Sequence, residues 1–382
     1  MRQYFLIHNR SKVYNKHNMH SLFTKIEKFY EKYERHISSV ALVGGFIFDS
    51  LTLRRIDMLF DNLTFIVYLV ISGGGIAFLN YFQEHPPKKD FSKKVEEFLP
   101  VFIQFAFGGL FSGFFIFYSR SSNLASSWPF ILFLLFLLIG NEFFKGYYKR
   151  LTFQVSIYFV AIFSFSIFFV PVILKSMNAF IFILSGFFSL FIIDLFSRGL
   201  FRVVPKRYRE SRITLRNSIL SIYVIINILY FTNLIPPIPL SLKNVGVYYA
   251  VERVGEDYKV IGEKKTWQEK IPVISTNIVH IKEGEPLYLF SSVFAPTDLD
   301  VKVIHDWQYY DESSSRWIST TRIAFPIIGG RGDGYRGFSK KENIFDGRWR
   351  VDVKTERDQI IGRINFTVIT SFADVRLEEK VL

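Results

Sequence analysis

Two clusters of side chains in this 382-residue sequence have the types and spacing for chemistry. The first runs Phe48-Asp49-Ser-Leu-Thr-Leu-Arg54-Arg55-Ile-Asp57 and continues to Asp61. On a helix Asp49 and Asp57 fall near one face with Arg54 and Arg55 within reach, so carboxylates and guanidiniums can neutralise one another at a membrane surface. The pattern reads as an ion-paired clamp or as a polar site between helix ends, the one place suited to chemistry on lipid or glycan head groups. The second cluster is Gly329-Gly-Arg331-Gly-Asp-Gly-Tyr335-Arg336-Gly337, followed by Ser339, Lys340 and Lys341. Gly332, Gly334 and Gly337 spell G-x-G-x-x-G, but between strands rather than at the start of a helix, which excludes a dinucleotide fingerprint. What remains is a flexible loop, either a turn with solvated charges or a site for an anionic or sugar ligand. Arg331, Tyr335, Arg336, Ser339 and Lys340, with Trp317, form the candidate ligand-binding set.

Beyond these, catalytic patterns are missing. There is no H-E-x-x-H and no Gly-x-Ser-x-Gly, and His17-x-x-His20 has no carboxylate ligand obvious beside it. Cys is absent, so disulfides, thiolate metal sites and a Cys nucleophile are excluded. No catalytic residue, metal ligand or cofactor is assigned, and the sequence points away from an enzyme.

The elements that must position these clusters are of two kinds. Hydrophobic residues make up 49% of the chain and the mean hydropathy is +0.21, high for a soluble protein. Seven apolar runs are expected to span a bilayer, at about Ile37 to Leu53, Leu63 to Phe82, Leu99 to Tyr118, Trp128 to Phe144, Val155 to Leu174, Ala179 to Phe196 and Ser218 to Leu234. The first is marginal, because a central Asp49 costs about 2.5–3.5 kcal/mol against about 0.3–0.6 gained per large apolar residue. Gly73-Gly-Gly75 and Gly109-Leu-Phe-Ser-Gly113 predict close helix approach. Ionisable residues are scarce within the spans, which argues against an ion-coupled transporter.

Charge orients the bundle. Residues 1–240 hold 26 Lys and Arg against 13 Asp and Glu, whereas residues 241–382 hold 21 of each, so the whole net charge of +13 sits in the membrane part. Between spans, 22 of those 26 cations fall in the N-terminus, 83–98, 145–154 and 197–217, and 4 in the intervening segments. Cations collect on the cytoplasmic side, so the N-terminus is placed inside and the C-terminal domain outside. This distribution explains the basic balance by topology and leaves no case for nucleic acid as a partner. Residues 1–35 read as a cytoplasmic basic amphipathic segment, charged and without an early apolar stretch, so the first span is expected to be its own insertion signal. Residues 36–235 form the membrane domain and 236–244 a Pro-rich exit, where Pro236, Pro237 and Pro239 predict a stiff, extended spacer.

From residue 245 to 382 the periodicity changes to two-residue alternation. Strands are predicted at Val247 to Val254, Val273 to Ile281, Pro286 to Val293, Val301 to Tyr310, Arg316 to Phe325, Gly347 to Lys354 and Ile360 to Ile369. In the sixth, Trp349, Val351 and Val353 point one way and Arg348, Arg350, Asp352 and Lys354 the other. His305 alternates with Val303 and Trp307 and reads as a core histidine. The fold class is therefore an all-α membrane bundle of about seven transmembrane helices followed by an all-β immunoglobulin-like sandwich.

His305-Asp-Trp307, Gly329-Gly-Arg331, Gly334-Tyr-Arg336, Phe338-Ser-Lys340, Gly347-Arg-Trp-Arg-Val-Asp-Val353 and Ile361-Gly-Arg-Ile-Asn-Phe366 resemble the bacterial domain of unknown function numbered 2914. The Asp49 stretch and Asn233-Leu-Ile-Pro-Pro-Ile-Pro-Leu240 resemble membrane halves that accompany it. The resemblance implies a bacterial envelope setting and supplies no catalytic residues. The expected function is that of a multi-pass inner-membrane protein, with the lipid bilayer as one partner, displaying a periplasmic β-sandwich that binds an envelope polysaccharide or protein. A membrane-embedded head-group enzyme and a receptor signalling to the N-terminal segment are the alternatives. Oligomeric state is left open.

Overall fold

The computed structural model describes residues 44–53, 58–86, 90–121, 124–143, 150–264, 277–296, 299–328, 334–371 and 375–382. Residues 1–52 form one unit and 53–382 another. Of the first unit the structure describes a helix over 44–52, labelled α1, which carries Asp49. The N-terminal amphipathic segment and residues 37–43 of the first predicted span lie outside the described residues.

The second unit begins with six helices: α2 (Leu59–Glu84), α3 (Asp90–Arg120), α4 (Leu124–Phe143), α5 (Leu151–Leu174), α6 (Ala179–Val203) and α7 (Pro205–Phe231). Five apolar stretches, Leu59–Glu84, Leu99–Arg120, Leu151–Leu174, Ala179–Val203 and Pro205–Phe231, are long and apolar enough to cross a membrane, whereas that of α4, Ser127–Asn141, is shorter. Several long apolar helices of this kind are consistent with a membrane protein. Where lipid and side chain are equally apolar, association depends on close packing. Here it is built on Phe65, whose ring stacks on Phe114 at 5.3 Å and meets Phe168 edge-on at 5.6 Å. The expected small-residue contacts are present. A Cβ on Gly113 would lie 2.5 Å from the Phe65 ring, and one on Gly73 would lie 2.6 Å from the Tyr158 hydroxyl.

The passage from the helices to the β-domain differs from the stiff spacer read in the sequence. Ile235 through Leu240 are all buried, and Leu240 belongs to the core of the β-domain. Ile235, Ile238 and Leu240, beside the prolines, are buried, and removing their apolar surface from water favours a connection folded onto its neighbours over an extended one. Met177, in the turn between α5 and α6, packs on that same core.

Eleven strands follow among the described residues, where the alternation predicts seven: β1 (Ser241–Tyr248), β2 (Ala250–Val254), β3 (Asp257–Glu263), β4 (Ile278–Ile281), β5 (Leu287–Phe294), β6 (Asp300–Asp311), β7 (Arg316–Ile328), β8 (Tyr335–Lys341), β9 (Gly347–Thr355), β10 (Ile360–Thr370) and β11 (Leu377–Val381). They make a three-stranded sheet β1-β5-β8, a five-stranded sheet β4-β10-β9-β6-β7 in which β4 runs parallel to β10, and a small sheet β11-β3-β2. The first two share one core, with Leu287, Leu289 and Val293 on one side and Val303, Trp307, Trp349, Val351 and Phe366 on the other. The predicted first strand, Val247 to Val254, is interrupted at Tyr249, and the pairing of β1 with β5 starts at Ser241, inside the predicted exit segment.

Candidate binding face

The glycine-rich stretch does not present its side chains together. Arg331 lies outside the described residues, and Tyr335 to Lys341 are not a loop but strand β8, hydrogen-bonded to β5 in register from Leu287↔Lys341 to Val293↔Tyr335. Tyr335 leans on the main core. Arg336 is committed to structure: its Nη1 donates to Asp257 Oδ1 at 2.9 Å and to the carbonyl of Leu382 at 3.0 Å, tying down the C-terminal end. Lys340 pairs with Glu342 at 2.7 Å in solvent. Ser339 points inward and is 3% exposed. Its hydroxyl accepts from Trp307 Nε1 at 3.0 Å and meets His305 Nδ1 at 2.8 Å, while Ser291 Oγ lies 2.8 Å from the other ring nitrogen. His305 is fully buried, as its alternation predicts, and burial lowers its pKa from 6.5 to about 3. The neutral ring, held by two hydroxyls, is a pin between the two sheets.

Of the membrane-surface cluster, Arg54, Arg55 and Asp57 lie outside the described residues. In the second unit that end of the bundle is bound by Asp61 and Arg120. The Arg120 Nη1 donates to the Leu53 carbonyl at 2.9 Å, and the buried Asp61 is close enough to act on its charge. At the other end, a cleft of about 1270 Å³ separates the C-terminal end of α2 from the N-terminal ends of α5 and α7. There Glu84 accepts the backbone N–H groups of Lys206 and Arg207 at 3.4 and 3.3 Å, satisfying two orphan donors at the start of α7. That is helix capping rather than reaction chemistry.

The remaining member of the set, Trp317, belongs to a better-built site on the outer face of the five-stranded sheet. The registers of β6 with β9 and of β9 with β10 put Asp306 opposite Asp352, Gln308 opposite Arg350 and Asp352 opposite Arg363. Two carboxylates face to face repel, and the strands answer with cations on either side. Lys354 Nζ lies 2.6 Å from Asp306 and 3.5 Å from Asp352. Arg363 grips Asp352 with two parallel bonds, Nε at 2.5 Å and Nη2 at 2.9 Å. Burial pushes the Asp306 carboxyl upward, but the bonds from Lys354, Ser319 and Gln308 outweigh it and hold it below the ordinary carboxylate range. Asp306 and Asp352 are only 2% and 1% exposed although no second sheet among the described residues covers them, because their own cationic neighbours roof them over.

From this base the network runs outward. Gln308 donates to Asp306 at 2.6 Å and accepts from Arg350 Nε at 2.7 Å. The Arg350 guanidinium lies 4.4 Å from the centre of the Trp317 ring, a cation–π distance, and Trp317 meets Tyr310 edge-on at 5.3 Å. Arg348 stacks 3.8 Å over Tyr310 and bonds Glu312 at 2.9 Å. Asp306 and Asp352 are balanced by Lys354 and Arg363, and Arg348 by Glu312, so Arg350 is the surplus charge. Among the described residues its two Nη groups have no hydrogen-bond partner, and burial and the nearby Arg363 lower its pKa. The face therefore offers a fixed, planar, partly dehydrated cation on an aromatic shelf, the geometry that recognises carboxylate, phosphate or sulfate groups on a sugar.

Residues 300–368 match the family model described as Protein of unknown function (DUF2914), and they span β6 through most of β10, the strands that carry this face. The resemblance seen in the sequence is thus shown over this segment. No protein of curated function matches the chain. Among solved structures, Pseudomonas fluorescens alkylpurine DNA glycosylase AlkC bound to DNA containing an abasic site analog is similar at 10% identity, over 82% of this chain and 99% of that one, with a TM-score of 0.18.

Proposed function

We propose that this protein is a multi-pass inner-membrane protein of the bacterial envelope, that its β-domain is an immunoglobulin-like sandwich displayed in the periplasm, and that it is a binding module rather than an enzyme. Its ligand is an anionic envelope polysaccharide, received on the Trp317–Arg350 face. The observation that carries this reading is the Arg350 guanidinium, laid on Trp317 and braced by Gln308, with its Nη groups turned to no partner within the described chain. The placement outside the cytoplasm is supported by the concentration of 22 of 26 cations beneath alternate apolar segments.

The test is binding of the full-length protein in detergent to an immobilised uronic-acid polymer, with neutral dextran as control. Wild type should hold the uronate polymer and not dextran. Arg350→Gln and Trp317→Ala should weaken binding by about tenfold or more, the worth of a charge-assisted bond. Equal binding by wild type and Arg350→Gln would remove the face from the proposal. A tag after Leu382 reached only by cytosolic reagents would remove the periplasmic display.

A further inference from the structure

Where the β-domain meets the helix ends, a cavity of about 200 Å³ is left between the α5–α6 turn, the last turn of α7 and the β9–β10 hairpin. Ser176, Asn178, Tyr230, Lys302, Thr355 and Arg357 contribute to its lining. At about 30 Å³ per water it has room for roughly six waters, or for a phosphate with part of a glycerol.

Donors dominate the polar lining. Arg357 lies over the Tyr230 ring at 4.3 Å and near Phe231 at 5.4 Å, and its Nη1 is buried with no hydrogen-bond partner among the described residues. Its backbone is fixed from behind, since Asn233 Nδ2 donates to the Arg357 carbonyl at 3.2 Å. Lys302 brings a second cation, 3.1 Å from Glu356 at the exposed rim. The Asn178 side-chain oxygen accepts the Ile181 N–H at 3.0 Å and so caps α6, while its amide nitrogen donates to Ser176 Oγ at 3.4 Å with one hydrogen to spare. The N-cap of α6, at the positive end of its dipole, therefore borders the cavity. A buried guanidinium N–H left without an acceptor is costly, more so than a neutral donor. Glu356 is the only carboxylate on the described lining and is already engaged. The Tyr230 side chain also acts on the Arg357 guanidinium, but Nη1 still lacks an acceptor, and an anion from outside would supply it.

Position selects the anion. The cavity lies at the C-terminal end of α7, where an apolar, membrane-length helix stops and a polar domain begins. That is the level of lipid head groups, and their phosphate matches the planar fork of an arginine. We propose that this cavity binds the phosphate of one membrane phospholipid through Arg357, with Lys302 in support, and that the lipid braces the β-domain against the helix ends.

The test uses the full chain in nanodiscs of phosphatidylglycerol and phosphatidylethanolamine, extracted into mild detergent and weighed intact by native mass spectrometry. Wild type should keep one phospholipid under conditions that strip the rest, and should not keep diacylglycerol, which lacks the phosphate. Arg357→Gln should retain at least tenfold less, Arg357→Lys an intermediate amount, and Arg350→Gln as much as wild type. In lipid-free detergent, stabilisation of wild type but not Arg357→Gln by millimolar inorganic phosphate, without a retained lipid, would mean that the site takes its phosphate from solution and would overturn the lipid assignment. Equal retention of phospholipid and diacylglycerol by wild type would overturn the phosphate itself, even if the Arg357 variants fail to fold. Loss of this site would leave polysaccharide binding at Arg350 untouched, so the two proposals fail separately.

Discussion

The two faces of the five-stranded sheet come from the same strands and alternate residues, yet they treat polar groups in opposite ways. Inward from β6 and β9 point Val303, His305, Trp307, Trp349, Val351 and Val353, and outward Asp306, Gln308, Arg350, Asp352 and Lys354. The inner polar group is neutral: a fully buried imidazole between two serines, with a pKa lowered to about 3. The outer groups are joined by ion pairs, and among the described residues Asp306 and Asp352 are covered by their own neighbours' side chains. Each inner donor and acceptor finds its partner within the fold, which is what a core demands. The outer network ends on guanidinium groups with bonds still to make. The comparison separates polar residues that hold the fold from polar residues that serve a ligand.

The largest break in that comparison is expected on the inner side. Trp307→Ala removes a side chain that is 0% exposed, leaves a cavity against Phe366 and strips a donor from Ser339. It should destabilise the β-domain by about 3–5 kcal/mol, read as a fall in the urea midpoint of the full-length protein. On the outer side Asp352→Ala leaves Arg363 without its bidentate partner and removes one of the two carboxylates near Lys354. Breaking a buried ion pair from one end costs about 3 kcal/mol or slightly more. A loss below about 1 kcal/mol would mean that the cations simply turn to water, and that the outer face is ordinary surface.

Much of this contrast was legible beforehand, and the missing part has a physical cause. Apolar spans announce themselves because hydropathy sums over some twenty residues, and β6, β7, β9 and β10 because alternation persists over a whole strand. That Arg350, Asp352 and Lys354 share one face follows from their spacing alone. That Asp306 stands opposite Asp352 does not, because register between strands more than forty positions apart is set by tertiary packing. β8 reads as a loop since Gly337 and its charges outweigh Tyr335 and Phe338. The structure shows why glycine sits there: a Cβ would lie 2.5 Å from the Phe325 ring that crosses it. β1 was hidden by the prolines before it and by Lys243 and Asn244 within it, although Val245 and Val247 pack on the core.

A smaller effect should appear with pH. His305 is neutral when folded, with a pKa near 3, against 6.5 in an unfolded chain. Between those values the unfolded state binds a proton that the folded state refuses, so stability falls as the pH drops from about 6.5, by about 1.4 kcal/mol per unit. The depressed Asp306 carboxyl acts in the same direction at lower pH, losing its contribution as the medium falls through its folded pKa. Melting temperatures of the full-length protein from pH 7 to 4.5 should decline for wild type and decline less for His305→Gln, which keeps hydrogen-bonding capacity without titrating. Parallel curves would place a charged imidazole in the core and undo the claim that the inner face is neutral.

The smallest effect on stability, and the sharpest on the comparison, belongs to Arg350→Gln. Among the described residues the guanidinium makes one hydrogen bond, to Gln308, and a stacking contact with Trp317. A glutamine loses both but leaves the two carboxylates with Lys354 and Arg363, so the midpoint should move by no more than about 0.5 kcal/mol. Polysaccharide retention, in contrast, should fall by about tenfold or more. The pairing of a small stability change with a large binding change is what a group reserved for a ligand produces. If Arg350→Gln unfolds the domain as badly as Asp352→Ala, the outer network is a second core exposed to water, and its cations are fully spent on holding the sheet together.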